Sequence, residues 1–271
     1  MRTYLECIPC FFKQAINTSK LAGASQKTQK EIVNELARLI PNFPFNSTPP
    51  EMARLLHKII ERKTKKSDPF REIKKKSNKL ALGIYPEMKK RVRKSKDKLL
   101  TATEIAIAGN IIDYGVKSSL NIEKEIDKLF KQDFRKADKK ILYIGDNTGE
   151  IVFDRILVEE LSRLGKEVIF AVRSKPAIND ALMEDAIDCG IDKTATVIRS
   201  GSDAPGTILK YCTKSFRKLF KSAELIISKG QGNYETLTES TRPIYFLFKA
   251  KCPIIAKHVG AKLGSTILKK M

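Results

Sequence analysis

Apolar residues in the first half of the chain recur every three or four positions, whereas in the second half they gather into short β-branched runs. The first pattern is that of amphipathic helices and the second that of buried strands. Pro9 opens a helix through Phe11, Phe12, Ala15 and Ile16, and Ile32, Leu36, Leu39 and Ile40 repeat the spacing until Pro41 ends it. The proline-rich stretch 41–50 reads as a loop, with Ser47 or Thr48 placed to cap a helix entered through Pro49, Pro50 and Glu51. Leu55, Leu56, Ile59 and Ile60 carry that helix onward. Further helices are predicted from Pro69 to Leu82, from Pro86 to Leu100 and from Ala102 to Tyr114.

Beyond residue 138 the pattern alternates. Strands are predicted at Ile141 to Ile144, Val168 to Val172, Thr196 to Ile198, Leu225 to Ile227 and Pro253 to Ala256, separated by helices at Ile151 to Leu164, Ile178 to Cys189 and Gly206 to Phe220. Strands and helices alternating in this way imply a mostly parallel sheet covered on both faces. The expected fold is therefore α/β: a helical region over residues 1–135, packed on a doubly wound, Rossmann-like domain over 136–271. No repeat or low-complexity linker separates the two, so the helical region is expected to be docked.

Composition narrows the setting. A chain of 271 residues that is 42% hydrophobic can bury a sizeable core. No apolar run approaches the roughly 20 residues that span a bilayer, and Glu6 and Pro9 interrupt the apolar stretch near the amino terminus, so a cytoplasmic protein is expected. Five scattered cysteines do not form a disulfide framework. The net charge of +21 attracts anions of any kind, and the basic runs 63–66, 74–76 and 89–94 crowd the first half. Solvated helix faces of a Lys- and Glu-rich protein, such as a heat-adapted organism produces, account for these runs better than a specific nucleic-acid surface does.

Each predicted strand empties into a polar loop: 145–150, 173–180, 200–206, 228–235 and 257–260. In a parallel sheet these lie at one edge. Asp146, Asn147 and Asp180 offer hard oxygen ligands suited to magnesium or manganese, while Lys229 and Lys257 would neutralise phosphate charge and Gly230 and Gly232 would admit phosphate close to the backbone. Taken singly, Asp146 and Asn147 are better read as capping the next helix and Asp180 as sitting in a first helical turn. Five loops converging on one edge favour a phosphoryl-transfer site. Neither the G-x-G-x-x-G spacing of dinucleotide sites nor a P-loop is present. Asn110 and Asp113 lie one turn apart on an otherwise apolar helix, either capping its end or lining a cleft. Cys7 and Cys10 form a C-x-x-C at a helix start without the further ligands a structural zinc needs, and His57 and His258 read as bystanders.

Taken in order, these motifs resemble the metal-dependent damage-control phosphatases, once catalogued as domain of unknown function 89, and in particular their small stand-alone archaeal members. The resemblance runs from Cys7-Ile8-Pro9-Cys10 through Gly109-Asn110-Ile111-Ile112-Asp113 and the loops above to Lys257. It implies a helical domain on a Rossmann-like domain, and hydrolysis of small phosphorylated metabolites, such as sugar phosphates or damaged side products, with manganese, magnesium, nickel or cobalt. It further implies that Asp146, Asn147 and Asp180 are metal ligands. By the same resemblance Lys229, Asn233 and Lys257 contact substrate or phosphate, with Glu150, Asn110 and Asp113 close by. The mechanism expected from these roles is attack by a metal-assisted water, which Glu150 or Asp113 orients, with Lys229 and Lys257 stabilising the phosphoryl charge. Two other readings compete: a basic nucleic-acid-binding protein, and an S-adenosylmethionine-dependent carboxyl methyltransferase, an activity proposed for larger relatives. Neither membrane nor nucleic acid is the expected partner, and the oligomeric state is not legible.

Overall fold

The computed structural model describes residues 1–109 and 140–271. Helices α1 (Ile8–Leu21), α2 (Gln26–Leu39) and α3 (Pro49–Thr64) form a small bundle with its own core of Phe11, Ile32, Leu36, Met52, Leu56 and Ile60. The entry to α3 is the one expected. Pro49 takes the first helical position, and Glu51 accepts the Thr48 backbone N–H at 2.7 Å and its hydroxyl at 3.2 Å, which ties the cap residue to the first turn.

The next two helices belong to a different core. α4 (Arg71–Lys94) is one helix where two were expected, because it continues through Pro86. An internal proline removes one backbone hydrogen bond and crowds the preceding turn. Here Leu82, Tyr85 and Met88, on both sides of Pro86, pack on the same core, and that burial outweighs the local break. α5 (Lys98–Ala108) starts after Asp97, whose carboxylate accepts the Leu100 N–H at 3.0 Å. The remainder of the expected 102–114 helix, with Asn110 and Asp113, lies outside the described residues, as does the expected boundary at residue 135.

The sheet contains β1 (Lys140–Ile144), β2 (Glu167–Val172), β3 (Thr196–Arg199), β4 (Leu225–Lys229), β5 (Ile244–Lys249) and β6 (Thr266–Lys270), in the order β3-β2-β1-β4-β5-β6. The first five strands are parallel, and β6 closes the edge antiparallel to β5. Alternate residues face opposite layers. Ile141, Tyr143, Phe170, Ile227 and Leu247 pack with α4, α5 and α6 (Glu150–Arg163), while Leu142, Ile144, Ala171, Ile226 and Phe246 pack with α8 (Lys214–Ser222), α9 (Gln231–Leu237) and α10 (Pro253–Val259). Both faces are thus buried, the reason these strands read as continuous apolar runs.

Three expectations are corrected. Pro253–Ala256 is not a strand but the start of α10; the strand before it is Ile244–Lys249, an equally apolar run. Short apolar runs do not distinguish the two by periodicity, and Pro253 at the first helical position after the cap residue Cys252 decides for helix. The expected helix 178–189 shrinks to α7 (Met183–Asp188), because Asp185 accepts the Leu182 N–H at 2.9 Å and starts the helix there. The expected helix 206–220 likewise begins only at Lys214, capped by Thr213.

One buried side chain ties the helical layer to the sheet edge. Asn78 of α4 donates to Asp185 Oδ1 at 3.0 Å and accepts the Gly149 N–H at 2.7 Å, at the turn into α6. Asn78→Ala should lower the unfolding free energy by about 2 kcal/mol or more, since it leaves a buried donor and a buried carboxylate oxygen without partners. An unchanged urea midpoint would show that this bridge does not couple the layers.

Candidate active site

In a doubly wound sheet the connections from two neighbouring central strands leave toward opposite faces, opening a crevice at the strands' carboxyl ends. Here those strands are β1 and β4, hydrogen-bonded to each other from Ile141 with Leu225 to Ile144 with Ser228. Asp146 and Asn147 follow β1, and Lys229 ends β4. Asp180 arrives from the loop after β2, which is laced to the β1 loop. Ala181 N–H donates to the Asp146 carbonyl at 2.8 Å, Thr148 N–H to the Asn179 carbonyl at 2.9 Å, and Asn147 and Asp180 form an isolated bridge. Asp180 therefore lies in a fixed loop ahead of α7 and is not a first-turn helix residue.

The carboxylates crowd together. Gly230 makes this possible: with φ +83°, it presents no Cβ, and one placed there would stand 1.9 Å from Asp146 Oδ2. Asn147 Nδ2 donates to Asp146 Oδ2 at 3.0 Å and to Glu150 Oε2 at 3.2 Å. Burial, reinforced by the Asp180 and Glu150 charges, pushes the Asp146 carboxyl well above its usual range, against the pull of Arg173 and Lys251. Burial likewise raises Asp180, opposed by its ion pair with Arg173. Asp154, one turn beyond Glu150 on α6, is pushed up by burial to about 6 although Lys229 pulls it down.

Two buried cations answer these charges. Arg173, the residue after β2, donates through Nε to Asp180 Oδ2 at 2.6 Å, through Nη1 to Thr207 at 2.9 Å and through Nη2 to Asn233 Oδ1 at 3.1 Å; Nη2 also lies 3.7 Å from Asp146 Oδ1. Lys229 Nζ donates to the Ala106 carbonyl at 2.7 Å, to Glu150 at 3.1 Å and to Asp154 at 2.7 Å. Burial alone would lower its pKa, but Asp154 and Glu150 more than offset that and raise it, so the ammonium stays charged. Asp146, Glu150, Asp154 and Asp180 are all buried against Arg173 and Lys229, a formal excess of two negative charges when every carboxylate is ionised, and the raised proton affinities of Asp146, Asp154 and Asp180 are the response to it. One oxygen, Asp154 Oδ2, is buried with no partner. Among the described residues no three His, Cys, Asp or Glu side chains close on a single point as they stand; Asn147 takes one oxygen of Asp146 and Arg173 one oxygen of Asp180.

Several sequence expectations take new positions. Lys229 is saturated by three acceptors of the protein and faces Glu150 and Asp154 in place of an open phosphate position. Asn233 is fully buried, donating to the Gly145 and Lys229 carbonyls at 3.1 and 2.7 Å. Gly230 N–H is spent on the Leu247 carbonyl. Lys257 is exposed in the last turn of α10, whereas Lys251, two residues beyond β5, carries a charge that reaches Asp146. His258 Nδ1 pairs with the Tyr234 hydroxyl at 2.7 Å, away from the carboxylates. Cys7 and Cys10 are free thiols at the start of α1, with burial raising Cys7. Sequence reasoning gave no role to Arg173, Asp154 or Lys251. The position of Arg173 as the first polar residue after a strand, and the i,i+4 spacing of Glu150 and Asp154 on an apolar helix, were available signals; Lys251 was hidden by the misplaced fifth strand.

A buried, acid-rich cluster at the switch point of a doubly wound sheet stands where α/β enzymes place their sites. Residues 3–267 match the damage-control phosphatase ARMT1-like domain, and the chain belongs to that family. It is 36% identical to the uncharacterized protein MJ0202 of Methanocaldococcus jannaschii over 98% of this chain and 94% of that one. It is 33% identical to damage-control phosphatase PH1575 of Pyrococcus horikoshii over 98% and 97% of the two chains, and 30% identical to a damage-control phosphatase of Archaeoglobus fulgidus over 97% of each. The crystal structure of the DUF89 family protein PH1575 superposes with a TM-score of 0.86, covering 100% of this chain and 99% of that one at 32% identity. The expected phosphatase family and the helical-plus-Rossmann-like architecture both stand. No helix among the described residues is long and apolar enough to cross a membrane.

Two outcomes follow from the buried charges. Lys229→Met should cost about 3–5 kcal/mol of unfolding free energy, because it leaves Glu150 and Asp154 uncompensated, and adding Asp154→Asn should return part of it. A fully stable Lys229→Met protein would place the ammonium elsewhere. Glu235 of α9 is pushed up by burial to about 7, only partly countered by the Gln231 amide at 2.9 Å. The unfolded carboxyl loses its proton first, near 4.5, so this group makes stability fall as pH rises from there through about 7, by roughly 3 kcal/mol at most. Urea titrations near pH 5 and near pH 8 should show Glu235→Gln gaining on the parent by roughly 2–3 kcal/mol at the higher pH.

Proposed function

We propose that the protein is a divalent-cation-dependent phosphatase of small phosphorylated metabolites, with Asp146, Asn147 and Asp180 as the residues that would hold the cation. The observation that carries this reading is the formal excess of two negative charges in the buried cluster, which one divalent ion balances. The donors are carboxylate and amide oxygens, the chemistry preferred by magnesium and manganese; nickel and cobalt remain within the range the family resemblance implies. When bound, such a cation polarises a phosphoryl oxygen and lowers the pKa of a coordinated water.

The chain's own groups divide the remaining work. Lys251, two residues beyond β5, neutralises phosphate charge at the crevice mouth, the role first expected of Lys257. Glu150, held between Lys229 and Asn147, orients the attacking water and accepts its proton. Lys229 is then a positioning residue, fixing Glu150 and Asp154. Arg173 holds the Asp180 carboxylate and, through Asn233, the end of β4. Asn110 and Asp113 stay candidates for substrate contact. A cytoplasmic setting fits an enzyme of soluble metabolites.

Metal-stripped protein should release no phosphate from a panel of sugar phosphates and related phosphomonoesters until manganese, magnesium, nickel or cobalt is returned. Asp146→Asn and Asp180→Asn should each lower kcat by about 10²–10³-fold or more at unchanged fold. Lys251→Ala should lower kcat/KM by about 10²-fold and Lys257→Ala by less than about twofold. Full metal-dependent turnover by Asp180→Asn would remove the ligand assignment.

A further inference from the structure

On the same edge of the sheet, beside the β2 and β3 loops, lies a second cavity of about 300 Å³. One wall is α3, with Arg54, His57 and Lys58; a second is the α3–α4 connection, with Lys66; the third is formed by Lys175 and Asp203 from the loops after β2 and β3. None of these residues belongs to the carboxylate cluster.

The charges are arranged so that the acid is already answered. Asp203 pairs with the Arg54 guanidinium and lies 3.9 Å from Lys58 Nζ. Arg54 also stacks on Tyr211, 4.0 Å from the ring centre, which fixes its position. Lys66 and Lys175 have no carboxylate within ion-pair distance among the described residues, and the one other acid on the wall, Glu61, is exposed. Two cationic charges are thus left over at the cavity. His57 also lines the cavity, and its Nε2 is buried with no hydrogen-bond partner. The ring packs beside Phe70, and burial pushes its pKa down to about 4 against the pull of Asp68, so the imidazole stays neutral and in its Nε2–H tautomer donates to an acceptor. An unpartnered buried imidazole in a cavity that also carries two uncommitted lysines suits an oxyanion.

We propose that this cavity is a second anion subsite that takes the distal phosphate of the substrate, so that the enzyme prefers metabolites carrying two phosphate groups. This rests on the hydrolase reading of the carboxylate cluster. Lys175 is two residues beyond Arg173, so their Cα atoms are at most about 7 Å apart; the loop that holds Asp180 through Arg173 also forms the cavity wall. Binding energy gathered at a distal phosphate held beside this shared loop would orient the scissile one.

The test variant is Lys66→Glu combined with Lys175→Glu, which reverses the free charges and touches no residue assigned to the cation or the reacting phosphate. In the metal-loaded enzyme, a sugar bisphosphate should show KM raised by about tenfold or more in the variant, while the matching monophosphate stays within about twofold. Equal effects on both, or none on either, overturn the substrate assignment. A second measurement does not depend on turnover. The chain has two histidines, so the ring Cε1–H resonances of His57 can be followed by NMR with His258 as internal control. Inorganic phosphate, and then the bisphosphate, should shift His57 in the parent and not in the variant. No His57 response to either probe overturns the subsite outright. A response to inorganic phosphate without any bisphosphate preference in kinetics would make the cavity a site for free anion and overturn the distal-phosphate assignment. Absence of phosphate release from every ester with every metal, alongside a His57 response, would instead locate the failure in the hydrolase reading.

Discussion

The ammonium of Lys229 sits at the end of the fourth strand with its three hydrogens spent on the Ala106 carbonyl, Glu150 and Asp154. Those three acceptors belong to α5 and to two successive turns of α6, so one buried cation fastens the sheet edge to the helical layer above it. A charge in so dry a place persists only when fully answered, because desolvation alone would strip its proton. The consequence is geometric. Glu150 cannot turn without leaving the ammonium short of a partner, and Asn147, which donates to both Glu150 and Asp146, inherits the same constraint.

Around this anchor the protein holds more negative charge than it neutralises. Asp146 and Asp180 are brought together by paired loops and by a glycine that lets the carboxylate approach the backbone, against their mutual repulsion. An arrangement that raises the proton affinity of its own carboxylates lowers the stability of the fold, and such costs concentrate where chemistry is done. Arg173 moderates the repulsion by spanning Asp180, Thr207 and Asn233, so that the loops after β2 and β3 and the helix after β4 share one guanidinium. The site is consequently a network in which no charged residue acts alone.

The division of the helices explains how the amino-terminal region takes part. α4 and α5 are by packing a layer of the α/β domain, sharing a core with Tyr143, Phe170 and Leu247, while α1 to α3 keep a core of their own. The small bundle meets the sheet edge through α3, whose Arg54 reaches Asp203 and whose Glu51 pairs with Lys210. Polar contacts of this kind set the position of a docked element without merging the cores, and they leave a cavity between the two bodies lined by charge.

What the sequence determined is what local pattern can encode. The alternation after residue 138 required a two-faced parallel sheet, and the sequence Gly145-Asp146-Asn147 at the end of a β-branched run placed oxygen donors at its edge. Pro49 and Glu51 set the start of α3 by direct cap chemistry. The tertiary structure decided everything that depends on which apolar run pairs with which. Ile244–Lys249 and Pro253–Val259 are both short and apolar, and only sheet pairing made the first a strand, which exchanged Lys257 for Lys251 at the edge. Pro86 failed to divide α4 because contacts on either side outweighed one lost hydrogen bond. The role of Lys229 was likewise undecidable in advance: a lysine after a strand reads as a phosphate ligand until Glu150 and Asp154, distant in sequence, are seen to enclose it. Charge partners separated by some eighty residues leave no local trace, because Coulomb attraction follows distance in space and not position along the chain.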